Sequence, residues 1–294
     1  MQTQSADLKL PAKPDNLSNL EFMRNLTTYV ATSRTVGGKS VADVGCGTGH
    51  GAWLLANSGS ERVAALDIDE ARTRLVSELC AGVENLSVSV MDAQRLVLEE
   101  GSFQVVTCFE VIEHVPKPDL LLSGIRRILA RDGVAFLSTP NRKVRLLPLQ
   151  RPWNRQHLRE YSVSAFQGTL AKHFPSLAIS GINGDPEPYG YYRRLWRQSP
   201  WRAYSEWARR PIRISRRVLA RRLTRAQPLQ SPSTEPSHSE LDLLNMAVPA
   251  PQPEVWPFYV GDLDAHCLNF FAVCGDDDEA VKSAARDIRA SGGR

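Results

Sequence analysis

The sequence predicts an α/β fold in which a mostly parallel sheet carries helices on both faces. Apolar runs alternate with helical patterns through the first half of the chain, which is the order that crossover connections between parallel strands require. A glycine-rich loop follows the first apolar run, and Asp67, Asp92 and Glu110 stand at the ends of three others. Because ligands bind beyond the carboxyl ends of strands in such sheets, these residues mark the expected site.

Five apolar runs are predicted as strands because they are short and are bounded by glycine, proline or polar residues. In chain order they span 40–45, 62–69, 86–93, 103–111 and 133–140. Helical patterns fill the intervals, as in 69–82 and in 118–133, which ends at a glycine after a basic turn. We expect a helical N-terminal segment over 1–36 before the first strand.

Composition is typical of a globular protein, with 42% hydrophobic and 23% charged residues among 294. No apolar run reaches the roughly 18 residues that a membrane-spanning helix needs. The N-terminal residues lack the basic start and apolar core of a secretory signal, and the five cysteines show no C-x-x-C pairing. These features predict a cytoplasmic protein with reduced thiols.

The glycine loop VADVGCGTGHG, at 41–51, follows the first strand and opens a helix. Gly45, Gly47 and Gly49 allow a tight turn whose backbone lies close to a ligand. Asp67 falls 20 residues after Gly47, where a carboxylate can accept hydrogen bonds from ribose hydroxyls. A glycine loop alone also fits a plain strand-to-helix turn. Strand, loop, helix and spaced acid together predict a nucleotide-type ligand.

Four stretches stand in register over residues 38–142: VADVGCGTGHG, ALDIDE, VMDAQRL, and FQVVTCFEVIEHV with the LLLSGIRRILARDGVAFLSTPN that follows. Together they resemble the successive motifs of class I S-adenosylmethionine-dependent methyltransferases. The resemblance implies a Rossmann-like sheet of seven strands, mostly parallel with a C-terminal antiparallel hairpin. It also implies S-adenosyl-L-methionine as the cofactor. A dinucleotide-binding fold is the competing interpretation, but it needs a second mononucleotide half and leaves Asp92 unexplained.

The resemblance further implies roles for individual residues. Gly45, Gly47 and Gly49 would line the methionine part of the cofactor. Cys46 lies between these glycines, and Asp43 would face the amino group of the methionine. The other implied contacts are Asp67 with the ribose hydroxyls, Ile68 with the adenine ring, Asp92 with the adenine amino group and Ala93 with its backbone beside that group.

The turn E-V-I-E-H brings Glu110, Glu113 and His114 together at the end of a predicted strand. An alcohol hydroxyl is a poor nucleophile near neutral pH, so its methylation needs a general base or a metal that stabilises the alkoxide. Two close carboxylates repel one another and favour a bound cation. His157, in WNRQHLREYS, is a fourth candidate. We predict that these four residues hold Mg²⁺, Mn²⁺ or Zn²⁺.

This ligand pattern is similar to the metal site of two methyltransferase groups. One group methylates the terminal 2′-hydroxyl of small RNAs, and the other methylates catechol-type intermediates of ubiquinone synthesis. NRQHLREYS also resembles a stretch in methyltransferases of bacterial glycan gene clusters, with Arg155 where that pattern has proline.

Two alternatives to the metal site stay open. In the first, no metal is bound and a histidine, His114 or His157, is the general base beside Glu110. In the second, Glu113 and His114 only cap the helix that begins near Pro118, and Glu110 is solvated.

Residues 191–225 hold twelve arginines, three tryptophans, no lysine and one acid. Such a basic amphipathic segment suits an anionic membrane surface, a nucleic acid, or a solvated helix that its tryptophans anchor on the core. A Pro/Ser-rich linker follows at 226–240. The expected organisation after 1–36 is a core at 37–183, an insertion with its linker at 184–254, the last strand at 255–275 and a peripheral tail at 276–294.

The sequence therefore predicts an S-adenosylmethionine-dependent methyltransferase that acts on a hydroxyl of a small molecule or glycan intermediate. One alternative is an RNA 2′-O-methyltransferase that grips phosphates with 191–225. A second is a non-catalytic cofactor-binding or membrane-docking module. A small molecule or glycan is the expected partner, and 191–225 adds an expected contact with the inner face of a membrane.

Overall fold

The computed structural model describes residues 17–146, 151–152, 154, 156–184, 258–263 and 267–290. Eight strands of these residues form one sheet. In chain order they are β1 Ser40–Val44, β2 Arg62–Asp67, β3 Leu86–Val90, β4 Phe103–Phe109, β5 Leu129–Pro140, β6 Ser176–Gly184, β7 Phe258–Gly261 and β8 Asn269–Gly275. Their order across the sheet is β3-β2-β1-β4-β5-β8-β6-β7.

The predicted fold class is confirmed, and the strand count differs by one. Strands β1 to β5 are parallel to one another, whereas β8 runs antiparallel between β5 and β6, and β7 pairs antiparallel with β6. The sheet has eight strands instead of seven because the region 255–275, expected to hold one strand, contains both β7 and β8. Gly261 ends β7 and polar residues follow it, so the chain turns before β8 begins.

Helices cover both faces of the sheet. Helix α4 shows why its segment packs: Leu121, Leu122, Ile125 and Ile128 recur on one helical face and are fully buried. The apolar layer under α4 and α6 lies on one face, and the layer under α1, α2 and α7 lies on the other. The helices of the described residues are α1 Leu17–Ser33, α2 His50–Asn57, α3 Glu70–Leu79, α4 Pro118–Ile128, α5 Arg142–Arg145, α6 Val163–Leu170 and α7 Asp278–Ala290.

The strand order reverses around β1, which lies between β2 and β4. The chain connections that leave β1 and β4 therefore diverge at the carboxyl edge of the sheet. In open α/β sheets this divergence leaves a crevice where ligands bind. The register places Val44 opposite Leu66 of β2 and Asp43 opposite Thr107 of β4, so all three strands end at a similar height.

Helix α7 differs from the peripheral tail expected at 276–294. Val281, Ala284 and Ile288 recur at helical spacing and are buried against the apolar layer of α1 and α2. The acidic residues that suggested a solvated tail lie in the first turn of this helix, where Asp278 and Glu279 face the positive end of its dipole. The segment thus closes one face of the core.

Some expectations fall outside the described residues. The arginine-rich segment 191–225 and the linker 226–240 both lie there, as does nearly all of the expected insertion 184–254. Within the part of the chain that the structure describes, no helix has the length and apolarity to cross a membrane. All five cysteines are buried.

Candidate cofactor pocket and imidazole cluster

A pocket of about 540 Å³ opens at the carboxyl edge of the sheet, where the strand order reverses. Helix α1, the glycine loop, the turn after β4 and the loops after β2 and β3 all contribute to its wall. Its volume is in the range of sites that bind small molecules and cofactors. The lining residues on which the site argument rests are Asn25, Gly45, Gly47, Asp67, Ile68, Arg72, Asp92, Ala93, Glu110, His114 and Gln156.

Two of the three predicted glycines line this pocket. A side chain on Gly45 would place its Cβ 2.3 Å from a methyl group of Val111, and the backbone there has φ +81°. Gly47, at φ +56°, faces open space, so its missing side chain leaves room for a ligand. Gly49 is instead the N-cap of α2, where a Cβ would meet Val76. Its role is therefore packing.

Asp67 lies at the pocket wall. Its carboxylate accepts hydrogen bonds from the backbone N–H of Gly47 at 2.9 Å and of Asp69 at 3.0 Å. Each carboxylate oxygen has further acceptor capacity, and it can be used by hydroxyls of a ligand. The side chain thus fixes the glycine loop and offers acceptors to the pocket at the same time.

Ile68, Asp92 and Ala93 also line the pocket as expected. The Ile68 side chain is 66% exposed, which is high for an apolar residue and leaves an apolar surface for a ring to cover. One oxygen of Asp92 accepts from the backbone N–H of Gln94 at 2.9 Å, which holds the carboxylate in place.

Asp43 and Cys46 lie beneath the pocket and do not line it. Asp43 is fully buried and accepts hydrogen bonds from the hydroxyls of Thr107, at 2.7 Å, and Tyr29, at 3.1 Å. Burial raises the pKa of its carboxyl to about 7. Cys46 is buried as well, and burial raises the pKa of its thiol. In this structure Asp43 is linked to Tyr29 of α1, and its expected contact with an amino group of the cofactor stays a prediction.

Glu110 lines the pocket but stands apart from the other predicted ligands. Its backbone has φ +57°, an uncommon conformation for a residue other than glycine. Its carboxylate accepts from Asn269 at 2.7 Å and from Ser138 at 3.1 Å, and it pairs with Arg24 at 3.5 Å. These three partners hold it toward α1 and β8. Glu110 is therefore neither the solvated residue of one alternative nor part of the cluster described next.

Glu113, His114 and His157 come together, although His157 is distant in sequence. One ligand atom from each lies within 4.8 Å of the others, and the two imidazole rings pack edge to face with centroids 4.6 Å apart. Glu113 is fully buried: one oxygen accepts from Thr139 at 3.1 Å, and Oε1 has no hydrogen-bond partner among the described residues. His114 belongs to the pocket wall, so the cluster meets the pocket at this residue.

Electrostatics at the cluster follow from burial. Burial raises the pKa of Glu113, and the nearby charge of Glu110 raises it further. Burial lowers the pKa of His114 to about 4, and His157 contributes to the same shift. The imidazole of His114 is therefore neutral at neutral pH, which is the form that donates a lone pair to a metal.

Arg159 holds the two parts of the cluster together. Its guanidinium donates to the backbone carbonyls of Ile112, Val115 and Pro116, which belong to the turn after β4. The backbone N–H of Leu158 donates to the carbonyl of Glu113 at 2.9 Å. This backbone pairing carries His157 to the turn. The sequence-based prediction gave Arg159 no role. Its position two residues after His157, a candidate ligand, was the signal that could have identified it.

The capping alternative does not fit this geometry. The N-cap of α4 is Lys117, and no side-chain hydrogen bond caps this helix within the described part of the chain. Glu113 faces Thr139 and the histidines, away from the start of α4.

Comparisons with known proteins agree with this architecture. Residues 42–137 match a family model described as a methyltransferase domain. A Mycolicibacterium smegmatis protein named "probable S-adenosylmethionine-dependent methyltransferase" is 33% identical over 146 residues, which cover 50% of this chain and 55% of that protein. A ubiquinone biosynthesis O-methyltransferase of Xanthomonas euvesicatoria pv. vesicatoria is 36% identical over 117 residues, 39% of this chain and 48% of that protein.

The chain spans about half the length of these curated relatives. Among solved structures, an S-adenosylmethionine-dependent methyltransferase from Mesorhizobium loti is 19% identical with a TM-score of 0.41. The similarity covers 50% of this chain and 78% of that one.

Proposed function

We propose that the chain transfers the methyl group of S-adenosyl-L-methionine to a hydroxyl of a small molecule or glycan intermediate. Residues 42–137, which match a methyltransferase-domain model, and the similarity to a probable S-adenosylmethionine-dependent methyltransferase support this proposal. The observation that carries the proposal is the meeting of the cofactor pocket and the imidazole cluster at His114. Donor and acceptor of the methyl group would thereby share one space.

The residues of the pocket suit the parts of the cofactor. Asp67 offers acceptors for two ribose hydroxyls, the exposed face of Ile68 suits the adenine ring, and Asp92 can accept from the adenine amino group. At the other end, Asn25 of α1 and Glu110 line the pocket, and the carboxylate of Glu110 suits the amino group of the amino-acid part. Both ends of the pocket therefore offer polar groups that are complementary to those of the cofactor.

The chemistry of the step is a displacement at the methyl carbon. The acceptor oxygen forms a bond to that carbon while the carbon–sulfur bond breaks and leaves its electron pair on the sulfur. The hydroxyl proton passes to a basic group at the site or to water as the oxygen–carbon bond forms. Pocket residues contribute by holding the oxygen in line with the carbon–sulfur bond and by excluding water.

Glu113, His114 and His157 fit a divalent cation. Oε1 of Glu113 is buried without a partner, and a carboxylate with two imidazoles is a donor set that Zn²⁺, Mn²⁺ or Mg²⁺ can use. Bound there, the cation would lower the pKa of an acceptor hydroxyl. The pKa of about 4 makes His114 a weak base on its own, which favours a ligand role over a metal-free general base.

Similarity to a ubiquinone biosynthesis O-methyltransferase supports oxygen as the methylated atom. The twelve arginines of 191–225 favour a second candidate, methylation of an RNA 2′-hydroxyl. The two candidates differ in the acceptor and share the same site.

The test is methyl transfer from cofactor with a radiolabelled methyl group into fractionated cell extract. We expect label in free small molecules or lipid-linked glycans, in a bond stable to conditions that cleave methyl esters. Label in RNA would support the second candidate. No label in any fraction, with cofactor binding intact by calorimetry, would contradict both. Chelation followed by return of Zn²⁺, Mn²⁺ or Mg²⁺ tests the cation separately, because a metal-free enzyme is indifferent to both treatments.

A further inference from the structure

Two charged side chains lie next to His157 and are not among the residues that line the pocket. The side chain of Glu160 is 0% exposed and that of Arg145 is 10% exposed. Oε1 of Glu160 lies 3.1 Å from Nδ1 of His157 and 3.5 Å from Nε of Arg145. Glu160 contacts His157 directly, whereas the charge of Arg145 acts on both Glu160 and Glu113.

A buried carboxylate needs partners, since transfer of an unpaired charge out of water costs several kcal/mol. Arg145, at the end of α5, supplies the opposite charge. The second oxygen of Glu160 has no hydrogen-bond partner among the described residues, so the fold tolerates an incompletely satisfied acid here. Buried polar groups that lack a hydrogen-bond partner are typically found where they serve a functional site.

The contact between Glu160 and His157 fixes which nitrogen of the ring carries hydrogen. A carboxylate only accepts, so with Glu160 as the acceptor in this contact the hydrogen lies on Nδ1. The lone pair of the neutral ring then lies on Nε2, the nitrogen left for the cluster with Glu113 and His114.

We propose that Glu160, held by Arg145, is a positioning residue that keeps His157 in the Nδ1–H tautomer and aims Nε2 at the cluster. The value of this arrangement to the enzyme rests on the proposed function, since a free Nε2 serves a cation or an acceptor hydroxyl. The tautomer itself is a property of the chain without cofactor, metal or acceptor, and it can be measured separately.

The test uses the full chain with ¹⁵N-labelled histidine at pH 8, and two-bond ¹H–¹⁵N correlation spectra without metal. The spectrum of His157→Gln identifies the signals of His157. We expect the Nδ1–H tautomer in the unsubstituted chain and in Glu160→Gln, whose amide oxygen still accepts. Glu160→Ala should show a mixture of both tautomers. In a Zn²⁺ titration, Glu160→Ala should lose about 10- to 100-fold in affinity, while Glu160→Gln stays within about threefold.

Asp119→Ala is the matched control. Asp119 and His173 form another carboxylate–imidazole pair, at 3.0 Å on the solvent side of α4, so this change should alter the signals of His173 and leave His157 unchanged. The proposal is overturned if Glu160→Ala keeps the Nδ1–H tautomer, or if the unsubstituted chain lacks it. A change of tautomer without Zn²⁺ binding in any variant would support the positioning role and reject the cation.

Discussion

The cofactor side of the site and the imidazole side are built in different ways. On the cofactor side, short loops at strand ends present glycine backbone and the carboxylates of Asp67 and Asp92. On the imidazole side, the side chain of Arg159 joins segments more than 40 residues apart in sequence, and Glu160 holds His157 within one of these segments. The first kind of site is encoded locally, whereas the second depends on tertiary contacts that form only in the folded chain.

This difference determines how substitutions affect each side of the site. A substitution on the cofactor side removes a contact with the ligand directly. On the imidazole side, substitution of a residue that does not contact the ligand should also weaken ligand binding. Such residues hold the histidines of the cluster in position. The two sides should therefore separate in experiments that measure cofactor binding and methyl transfer independently.

Asp67→Ala should give the largest effect. It removes the acceptors for two ribose hydroxyls and the tie to the Gly47 backbone, so we expect cofactor affinity to fall about 1,000-fold. Calorimetry measures the affinity, and circular dichroism checks the fold. Asp132→Ala, at an exposed aspartate of β5, is the control and should bind normally. Unchanged affinity in Asp67→Ala would remove the cofactor assignment.

His114→Ala should separate the two sides most clearly. We expect methyl transfer into the fraction labelled by the unsubstituted chain to fall about 100-fold, because the side chain that joins cluster and pocket is lost. Cofactor affinity should stay within about twofold. His173→Ala removes an imidazole outside the pocket and should keep full transfer. An equal loss of affinity and transfer would place His114 on the cofactor side.

Asp43→Asn should change how stability depends on pH. Asp43 keeps its proton up to about pH 7 in the folded chain, whereas an ordinary carboxyl loses it near pH 4 in the unfolded chain. Its stabilising contribution is complete below pH 4 and is lost as pH rises toward 7. Between pH 5 and 6.5 the original chain should lose about 2 kcal/mol of unfolding free energy relative to the variant. Urea unfolding curves at both pH values measure this, and parallel behaviour would contradict it.

Arg159→Lys should give the smallest effect, and it tests the link between the two segments. Lysine keeps the charge but lacks the planar fork that reaches several carbonyls. We expect Zn²⁺ affinity to fall about tenfold with cofactor affinity unchanged. The matched control is Arg74→Lys in an exposed ion pair of α3. If both substitutions behave alike, Arg159 does not hold the cluster.

The sequence predicted the parallel half of the sheet and the pocket wall because their signals are local. Glycine spacing, the following acid and strand periodicity each depend on neighbours within a few tens of residues. The orientation of Asp43 was missed, because spacing along a strand buried on both faces does not reveal whether a carboxylate meets the pocket or a tyrosine of α1. Glu110 was misplaced in the cluster because a left-handed backbone turns its side chain toward Asn269.

The imidazole side was predicted in part. The histidine at 157 and the E-x-x-E-H turn were identified from the residue types that bind metals, and the structure brings three of those four residues together. The contacts that bring them together were not predictable in the same way. In the sequence alone, Arg159 and Glu160 are typical of charges on a solvated surface. In the folded chain Arg159 contacts the turn after β4, and Glu160 contacts His157 and Arg145.

The position of β8 has a consequence for how the chain is made. This strand is the last of the described strands to be synthesised, yet it lies between β5 and β6 and carries Asn269 to Glu110, 159 residues earlier. Until the ribosome has released residues through 275, the facing edges of β5 and β6 stay unpaired and one wall of the pocket lacks its support. In a nascent chain these edges are therefore free to pair with other strands. The pocket wall at Glu110 gains its contact with Asn269 only after this strand enters the sheet.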